Sequence, residues 1–135
     1  MPKGDRKTEH PISAEDLLFF IETAEFTASW DELGLDAEND LTALQLTIMS
    51  APRRPPVVSG TGGLRKLRFV PPRWPSGKSG AMRVCYVHFE DYGIVLLLVA
   101  YRKSEKDDLT ASERTAIKTY IKRAKEELDR LKMID

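Results

Sequence analysis

Two basic residues alternate with apolar residues in the segment Leu64–Val70. Successive side chains of a β-strand point to opposite faces, so Lys66 and Arg68 are expected to share one open face while the leucine and phenylalanine between and after them enter a core. Two cations one strand repeat apart are well placed to bind successive phosphates. The glycines in Gly60–Gly63 allow a turn before the strand and could let a ligand approach. The alternative is a simple loop followed by solvated cations.

The charge distribution also favours a polyanion near this strand. The formal net charge is +0, but residues 1–52 carry three Lys/Arg against eleven Asp/Glu, and residues 53–106 carry eleven against three. Residues 107–135 carry seven of each. A local positive field of this kind attracts nucleic acid even when the total charge is zero. A solvated strand surface, balanced by acidic helices nearby, explains the same counts equally well.

The helices and strands that must position these cations are predicted from the spacing of apolar residues and from the glycine, proline and capping residues between them. A buried strand or a helix start is predicted at Leu17–Thr23, and a short helix at Ala24–Gly34. We predict a second helix at Ala37–Met49, strands at Leu64–Val70, Met82–Phe89 and Ile94–Tyr101, and an amphipathic helix at Ala111–Lys132 capped by Thr110 or Ser112. The order β-α-α-β-β-β-α predicts an α+β fold, in which an antiparallel sheet has helices packed on one face.

Length and composition predict one domain, 17–135, after a flexible leader, 1–16. Cys85 is the single cysteine, which excludes an internal disulfide and fits a reducing compartment. The longest apolar run, Ile94–Tyr101, is far shorter than a membrane span, and Met1–His10 has no signal-peptide pattern. We therefore expect a cytoplasmic protein with no membrane association.

Three segments together resemble the HigB-like toxins of the RelE/ParE superfamily. The first is the glycine-rich run and basic strand from Gly60 to Arg68 (GTGGLRKLR). The second is a Gly-Lys-x-Gly loop, here Gly77–Gly80, leading to Arg83 and Tyr86 on the next strand. The third is the family's Tyr-x-Lys-x-Glu-x-x-Asp-Leu, present as Tyr101–Leu109. In order and with compatible spacing, the resemblance covers roughly residues 26–121.

The resemblance implies a toxin of a bacterial type II toxin–antitoxin pair, of the kind that cleaves mRNA on the ribosome and is held inactive by a helix-turn-helix antitoxin. The implied chemistry is attack of an RNA 2′-OH on its adjacent phosphate, with neither metal nor cofactor, while cations neutralise the transition state. The residues carried over as catalytic are Lys66, Arg68, Arg83, Tyr86, Tyr101 and Lys103. Those expected to bind RNA are Arg65, Arg73 and Lys78.

Departures from the family pattern keep two other functions open. Val87 stands where the family commonly has a second tyrosine, and Ser104 stands where it has asparagine. Strand parity also places Arg83 and Tyr86 on opposite faces, so only one of them can face the active side. One alternative is a gyrase inhibitor like the ParE branch. The other is a degenerate member that only binds an antitoxin or RNA.

Other sites are less well supported by the residues. A nucleotide-binding P-loop ending at Gly77-Lys78-Ser79 would need its first glycine where Pro72 stands. Cys85 and His88 fall on opposite strand faces, so they do not form half of a zinc site. We expect Cys85 in the core, and His88 to be a partly buried strand residue rather than a general base.

Overall fold

A computed structural model describes residues 12–74, 81–103 and 108–133. The predicted α+β fold and its order β-α-α-β-β-β-α are confirmed. The strands are β1 (Phe19–Glu22), β2 (Leu64–Phe69), β3 (Met82–Phe89) and β4 (Ile94–Arg102), and the helices are α1 (Ala24–Glu32), α2 (Asn39–Ser50) and α3 (Ala111–Lys132).

The helix ends follow from local chemistry. Thr23 caps α1, because its side-chain oxygen accepts a hydrogen bond from the Phe26 backbone N–H at 3.0 Å. Thr110 is the N-cap of α3 and forms the predicted capping box with Glu113. α2 begins at Asn39 rather than Ala37 and ends shortly before Pro52.

The sheet has the order β1-β4-β3-β2. β2, β3 and β4 form the predicted antiparallel meander. The sheet as a whole is mixed rather than antiparallel, because β1 pairs with β4 in parallel, with Phe19 opposite Ile94 and Glu22 opposite Leu97. Between these two strands the chain passes through both short helices and the first two meander strands, which brings β4 back in the direction of β1.

A β-bulge interrupts β4 at Leu98. On β3, Tyr86 pairs with Leu97 and Cys85 pairs with Val99, so Leu98 has no partner on β3. The extra residue reverses the alternation of side chains along β4. As a result, the odd-numbered residues beyond the bulge change to the opposite face of the sheet.

Helices cover both faces of the sheet, whereas the sequence predicted cover on one face. On one face α1 and α2 pack against Phe69, Met82, Val84, Tyr86, Val95, Leu97 and Ala100. On the other face α3 packs through Ile121 against Leu64, Cys85, Val87, Phe89 and Leu96. α3 is only partly embedded, since its predicted apolar residues Tyr120 and Leu131 remain 47% and 46% exposed.

The boundary of the leader at residue 16 remains a prediction, because residues 1–11 lie outside the described part of the chain. Within residues 12–16, Ala14–Asp16 forms a 3-10 turn capped by Ser13. The domain therefore has regular structure slightly before Leu17.

Candidate anion-binding site

Three of the predicted site residues form a row across the sheet. Arg68 on β2 is the Cα partner of Arg83 on β3, and Arg83 is the partner of Tyr101 on β4. Directly opposed residues of neighbouring strands project on the same face, which here is the face that carries α3. Tyr101 reaches this face only because of the bulge at Leu98. Together with Lys66, which lies two residues before Arg68, the row is called the cation site below.

The two arginines of the cation site lack acidic partners in the part of the chain that the structure describes. Neither Arg68 nor Arg83 forms an ion pair with any residue that the structure describes. Like charges placed directly opposite on a sheet repel each other. An arrangement of this kind is stabilised when an anion binds between the guanidinium groups.

Two polar atoms of the row are buried without a nitrogen or oxygen hydrogen-bond partner among the described residues. They are Arg83 Nη1 and the Tyr101 hydroxyl oxygen. Buried polar groups in folded proteins nearly always have a partner, and an unmet group commonly marks a functional position. Because these two residues are Cα partners, one ligand with several oxygen atoms would satisfy both.

Lys66 is held by an acidic residue that the sequence prediction did not include. Its Nζ lies 3.4 Å from Asp108 Oδ1, and Arg114 Nη2 lies 3.1 Å from Asp108 Oδ2. Arg114 also donates to the carbonyl of Ser59 at 3.3 Å. A backbone hydrogen bond from Leu109 and the charge of Lys66 lower the pKa of Asp108, so its carboxylate is ionised at neutral pH. The strand cation is thereby fixed to the start of α3.

Cys85 forms the floor of the cation site. It is fully buried, and burial raises the pKa of its thiol to about 11, although the charges of Lys66 and Arg83 oppose this shift. The Tyr101 hydroxyl lies beside this thiol, and burial is the main cause that raises the pKa of Tyr101 above its ordinary value. At neutral pH both groups keep their protons. Tyr101 can therefore donate a hydrogen bond but does not act as a base.

The glycine-rich turn packs against α3 in the structure. Gly62 has a φ of 79°, and a Cβ at this position would lie 3.4 Å from Lys118 Cγ on α3. Thr61 closes the turn, since its buried hydroxyl donates to the carbonyl of Val58 and accepts from the Leu64 N–H. These glycines orient β2 and allow α3 to pack closely against the turn. The close approach that the sequence suggested for a ligand is made here by the helix.

Tyr86 and Arg65 lie on the opposite face, away from the cation site. Tyr86 is fully buried, donates its hydroxyl to the carbonyl of Pro52 at 2.7 Å, and has a pKa raised to about 12 by burial. Arg65 donates to the carbonyl of Arg53 at 3.0 Å. Both residues connect the sheet to the segment that follows α2. The structure therefore separates both residues from the cation site, although Tyr86 was predicted to be catalytic and Arg65 to bind RNA.

Arg73 also lies apart from the cation site. Its guanidinium pairs with the buried carboxylate of Asp40 on α2. Lys103 is exposed and follows the last residue of β4, two residues after Tyr101. Lys78 lies outside the described residues. His88 is half-buried on the face of Tyr86, and burial lowers its pKa.

Within 12–74, 81–103 and 108–133 there is no group of three or more His, Cys, Asp or Glu side chains that could hold a metal ion. In the same residues, no helix combines the length and the apolar character needed to cross a membrane.

Comparison with solved structures finds chains of similar fold. No family model matches the sequence. A solved structure of a double arginine mutant of the E. coli toxin RelE, in the free state, is similar to this chain with a TM-score of 0.48 and 14% sequence identity. The alignment covers 67% of this chain and 88% of that chain. At this level of similarity, a functional assignment depends on the side chains of the cation site.

Proposed function

We propose that this protein is an endoribonuclease toxin of a type II toxin–antitoxin pair that cleaves mRNA at the cation site. One observation carries the proposal. Arg83 and Tyr101, paired across the sheet, each present a buried polar atom without a nitrogen or oxygen partner among the described residues, next to Arg68, which has no ion pair in the same ranges. A phosphodiester has the charge and the oxygen atoms that would satisfy this arrangement. The motif resemblance to HigB-like toxins supports the same conclusion.

The proposed reaction is a transesterification within the RNA. The 2′-oxygen attacks the adjacent phosphorus, a P–O2′ bond forms and the P–O5′ bond breaks. The products are a 2′,3′-cyclic phosphate and a 5′-hydroxyl, and no atom is oxidised or reduced. Negative charge grows on the non-bridging oxygens, so the fixed guanidinium groups of Arg68 and Arg83 stabilise the transition state more than the substrate.

The proposed route of proton transfer follows from the protonation states of Tyr101 and Asp108. Tyr101 stays protonated at neutral pH and donates to the departing 5′-oxygen, which is more basic than the phenol. The 2′-OH proton passes to water, because the lowered pKa of Asp108 makes its carboxylate a weak base. Lys66, placed by Asp108, contributes positive charge to the phosphate. Lys103 lies near the exit of β4 and contacts the RNA beside the scissile bond.

The proposal includes two partners. The mRNA is cut on the ribosome, which would supply substrate orientation that an open sheet face cannot provide alone. A cognate antitoxin with a helix-turn-helix domain would keep the toxin inactive. We propose that the protein acts in the bacterial cytoplasm, where both partners are present.

The experiment is expression of the chain without an antitoxin, followed by mapping of transcript ends. Wild type should arrest growth and generate new 5′ ends within translated mRNA. Arg68→Ala and Arg83→Ala should each reduce cleavage by about 10²–10³-fold, the usual loss when one transition-state donor is removed. The matched control is Arg123→Ala, an exposed arginine on α3 with no ion pair among the described residues.

Two results would overturn the assignment. If cleavage by wild type and by both site variants is equal, the cation site is not catalytic. If wild type arrests growth while mRNA stays intact, supercoiling assays on purified gyrase test the inhibitor alternative. A chain that binds an antitoxin tightly but neither arrests growth nor cuts RNA would be a degenerate binding member.

A further inference from the structure

A second surface, which adjoins the cation site at Tyr101, has the opposite charge. β1 ends at Glu22 and β4 continues to Arg102, so the second half of β4 has no strand neighbour on that side. The Thr23 N–H and hydroxyl close the pairing by donating to the carbonyls of Leu97 and Leu98 at 3.1 and 2.8 Å. Beyond this point a groove opens between α1 and α3, with β4 as its floor.

The groove is long and apolar at its base. Its main cavity has a volume of about 560 Å³ and adjoins a second cavity of about 350 Å³. The two cavities share Leu98, Ala116 and Ile117 as well as Glu25, which makes them one continuous trough. At the far end of the trough, Tyr120 is 47% exposed. A surface with this shape and composition is typical of a site for an amphipathic chain segment.

The rim of the groove is acidic. Glu25 and Glu32 line one side from α1, and Glu113 lines the other side from α3. Glu25 and Glu32 form no ion pair with any residue in the described ranges. The one arginine in the lining, Arg102, directs its guanidinium over the Trp74 ring at 4.4 Å. These carboxylates repel RNA phosphates and attract cations.

From this charge and shape, we infer that the groove binds a segment of a partner protein in which apolar side chains are flanked by lysine or arginine. The apolar residues enter the trough and the cations meet the carboxylates of Glu25 and Glu32 on α1. The inference rests on the geometry of α1, β4 and α3, and it holds whether or not the chain cleaves RNA. Tyr101 and Leu109 line the groove as well. Tyr101 is thus shared with the cation site, whereas neither Arg68 nor Arg83 lines the groove.

The test uses the full chain and two labelled helical peptides. One carries leucines at i, i+3, i+4 and i+7 with lysines beside them, and its twin carries glutamates in place of the lysines. Fluorescence anisotropy should show that the lysine peptide binds at least about tenfold more tightly than its twin. The double variant Glu25→Gln/Glu32→Gln should weaken binding roughly threefold to thirtyfold, as expected for two exposed charge contacts.

A second variant separates groove binding from general charge attraction. Ala116→Trp fills the trough from an exposed helix position and should abolish binding of the lysine peptide. Thr119→Trp places the same ring on an exposed position of α3 outside the lining and should leave binding unchanged. Equal binding of both peptides, or unchanged binding to Ala116→Trp, would overturn the inference.

Other occupants would give distinct results. Sedimentation velocity would reveal a dimer that Ala116→Trp dissociates if the occupant were a second copy of this chain. A labelled RNA that loses affinity for Ala116→Trp as strongly as the peptide does would point to nucleic acid. Either result would contradict a protein partner of the stated chemistry.

Discussion

Replacing Arg83 by methionine is expected to raise the free energy of unfolding while it lowers RNA cleavage. Arg83 Nη1 is buried without a partner among the described residues, and its Cα partner on β2 is another arginine. Methionine keeps an unbranched stem of similar length in the sheet and removes the charge. The substitution therefore separates the structural cost of this residue from its contribution to function.

The size of the stability gain follows from two terms. An unsatisfied buried polar atom costs about 1–3 kcal/mol. An opposed like charge on a sheet costs about 0.2–1 kcal/mol. Arg83 is only half-buried as a whole residue, so the lower part of the first range applies. We expect a gain of about 1 kcal/mol, which for a domain of this size raises Tm by about 3–6 °C.

Two measurements on the same preparations decide the result. Thermal unfolding followed by circular dichroism gives the change in Tm, and transcript-end mapping or cleavage on purified ribosomes gives the change in activity. Cleavage should fall about 10²–10³-fold. The control Arg123→Met should change neither quantity. A fall of Tm in Arg83→Met would show that the guanidinium has a stabilising partner, and would refute the reasoning; unchanged cleavage would remove Arg83 from the catalytic residues.

The remaining predictions concern other contacts. Tyr101→Phe should leave Tm within a few degrees of wild type, because the lost hydroxyl has no nitrogen or oxygen partner among the described residues. It should slow cleavage about 10²-fold or more, because the hydroxyl donates a proton in the proposed reaction; equal cleavage by the two proteins would contradict this. Gly62→Ala should destabilise the fold by about 1–2 kcal/mol, since its φ of 79° is unfavourable for any residue with a Cβ; an unchanged midpoint in urea would contradict it. Burial opposes ionisation of Asp40, but its hydrogen bonds and the paired arginine outweigh burial and lower its pKa below 3.8. The stability that Asp40 contributes is thus present above about pH 4 and is lost as the pH falls further, so the difference in unfolding free energy between wild type and Asp40→Asn should shrink on acidification and would be pH-independent if the pairing were absent. Thr23→Val should cost about 1 kcal/mol through the lost N-cap and also slow cleavage, whereas Gly34→Ala, strained at a φ of 78°, should cost a similar amount without slowing cleavage.

Most of the fold was predictable because the apolar residues of most segments follow the pattern of one type of element and the ends of these segments carry turn or capping residues. β3 is a nearly continuous apolar run between turns, and α3 has a capping box followed by apolar residues at helical spacing. The ends of both elements match the sequence prediction. The pairing of β1 with β4 in parallel was not predictable from the same patterns. A short, isolated apolar strand carries no information about which sheet edge it joins, because that choice depends on the packing of α1 and α2.

The candidate site was only partly predictable. Parity correctly separated Lys66 and Arg68 from Arg65, since a regular strand alternates strictly. The same rule separated Arg83 from Tyr86. The contact between Lys66 and Asp108 was missed, because residues so distant in sequence meet only through the packing of α3 against β2. The helix dipole already explains an acidic residue such as Asp108 just before a helix. The sequence therefore offered no reason to expect its second contact, with Lys66.

The position of Tyr101 shows how a residue outside the cation site, the bulged Leu98, determines which side chains the site contains. In a regular β4 the odd-numbered positions would all face α1 and α2, as Val95 and Leu97 do, and Tyr101 would enter that core. The bulge at Leu98 moves it to the face of Arg83. The carbonyl of the bulged residue accepts a hydrogen bond from the Thr23 hydroxyl, and the same oxygen of Thr23 accepts one from the Phe26 N–H in the first turn of α1. The start of α1, the bulge and the orientation of the tyrosine therefore depend on one hydroxyl group. Bulges that redirect a side chain are common beside active sites, and here the redirected hydroxyl has no nitrogen or oxygen partner among the described residues. The bulge therefore anchors the start of α1 and also orients Tyr101, and the second effect supports the role that we propose for this tyrosine.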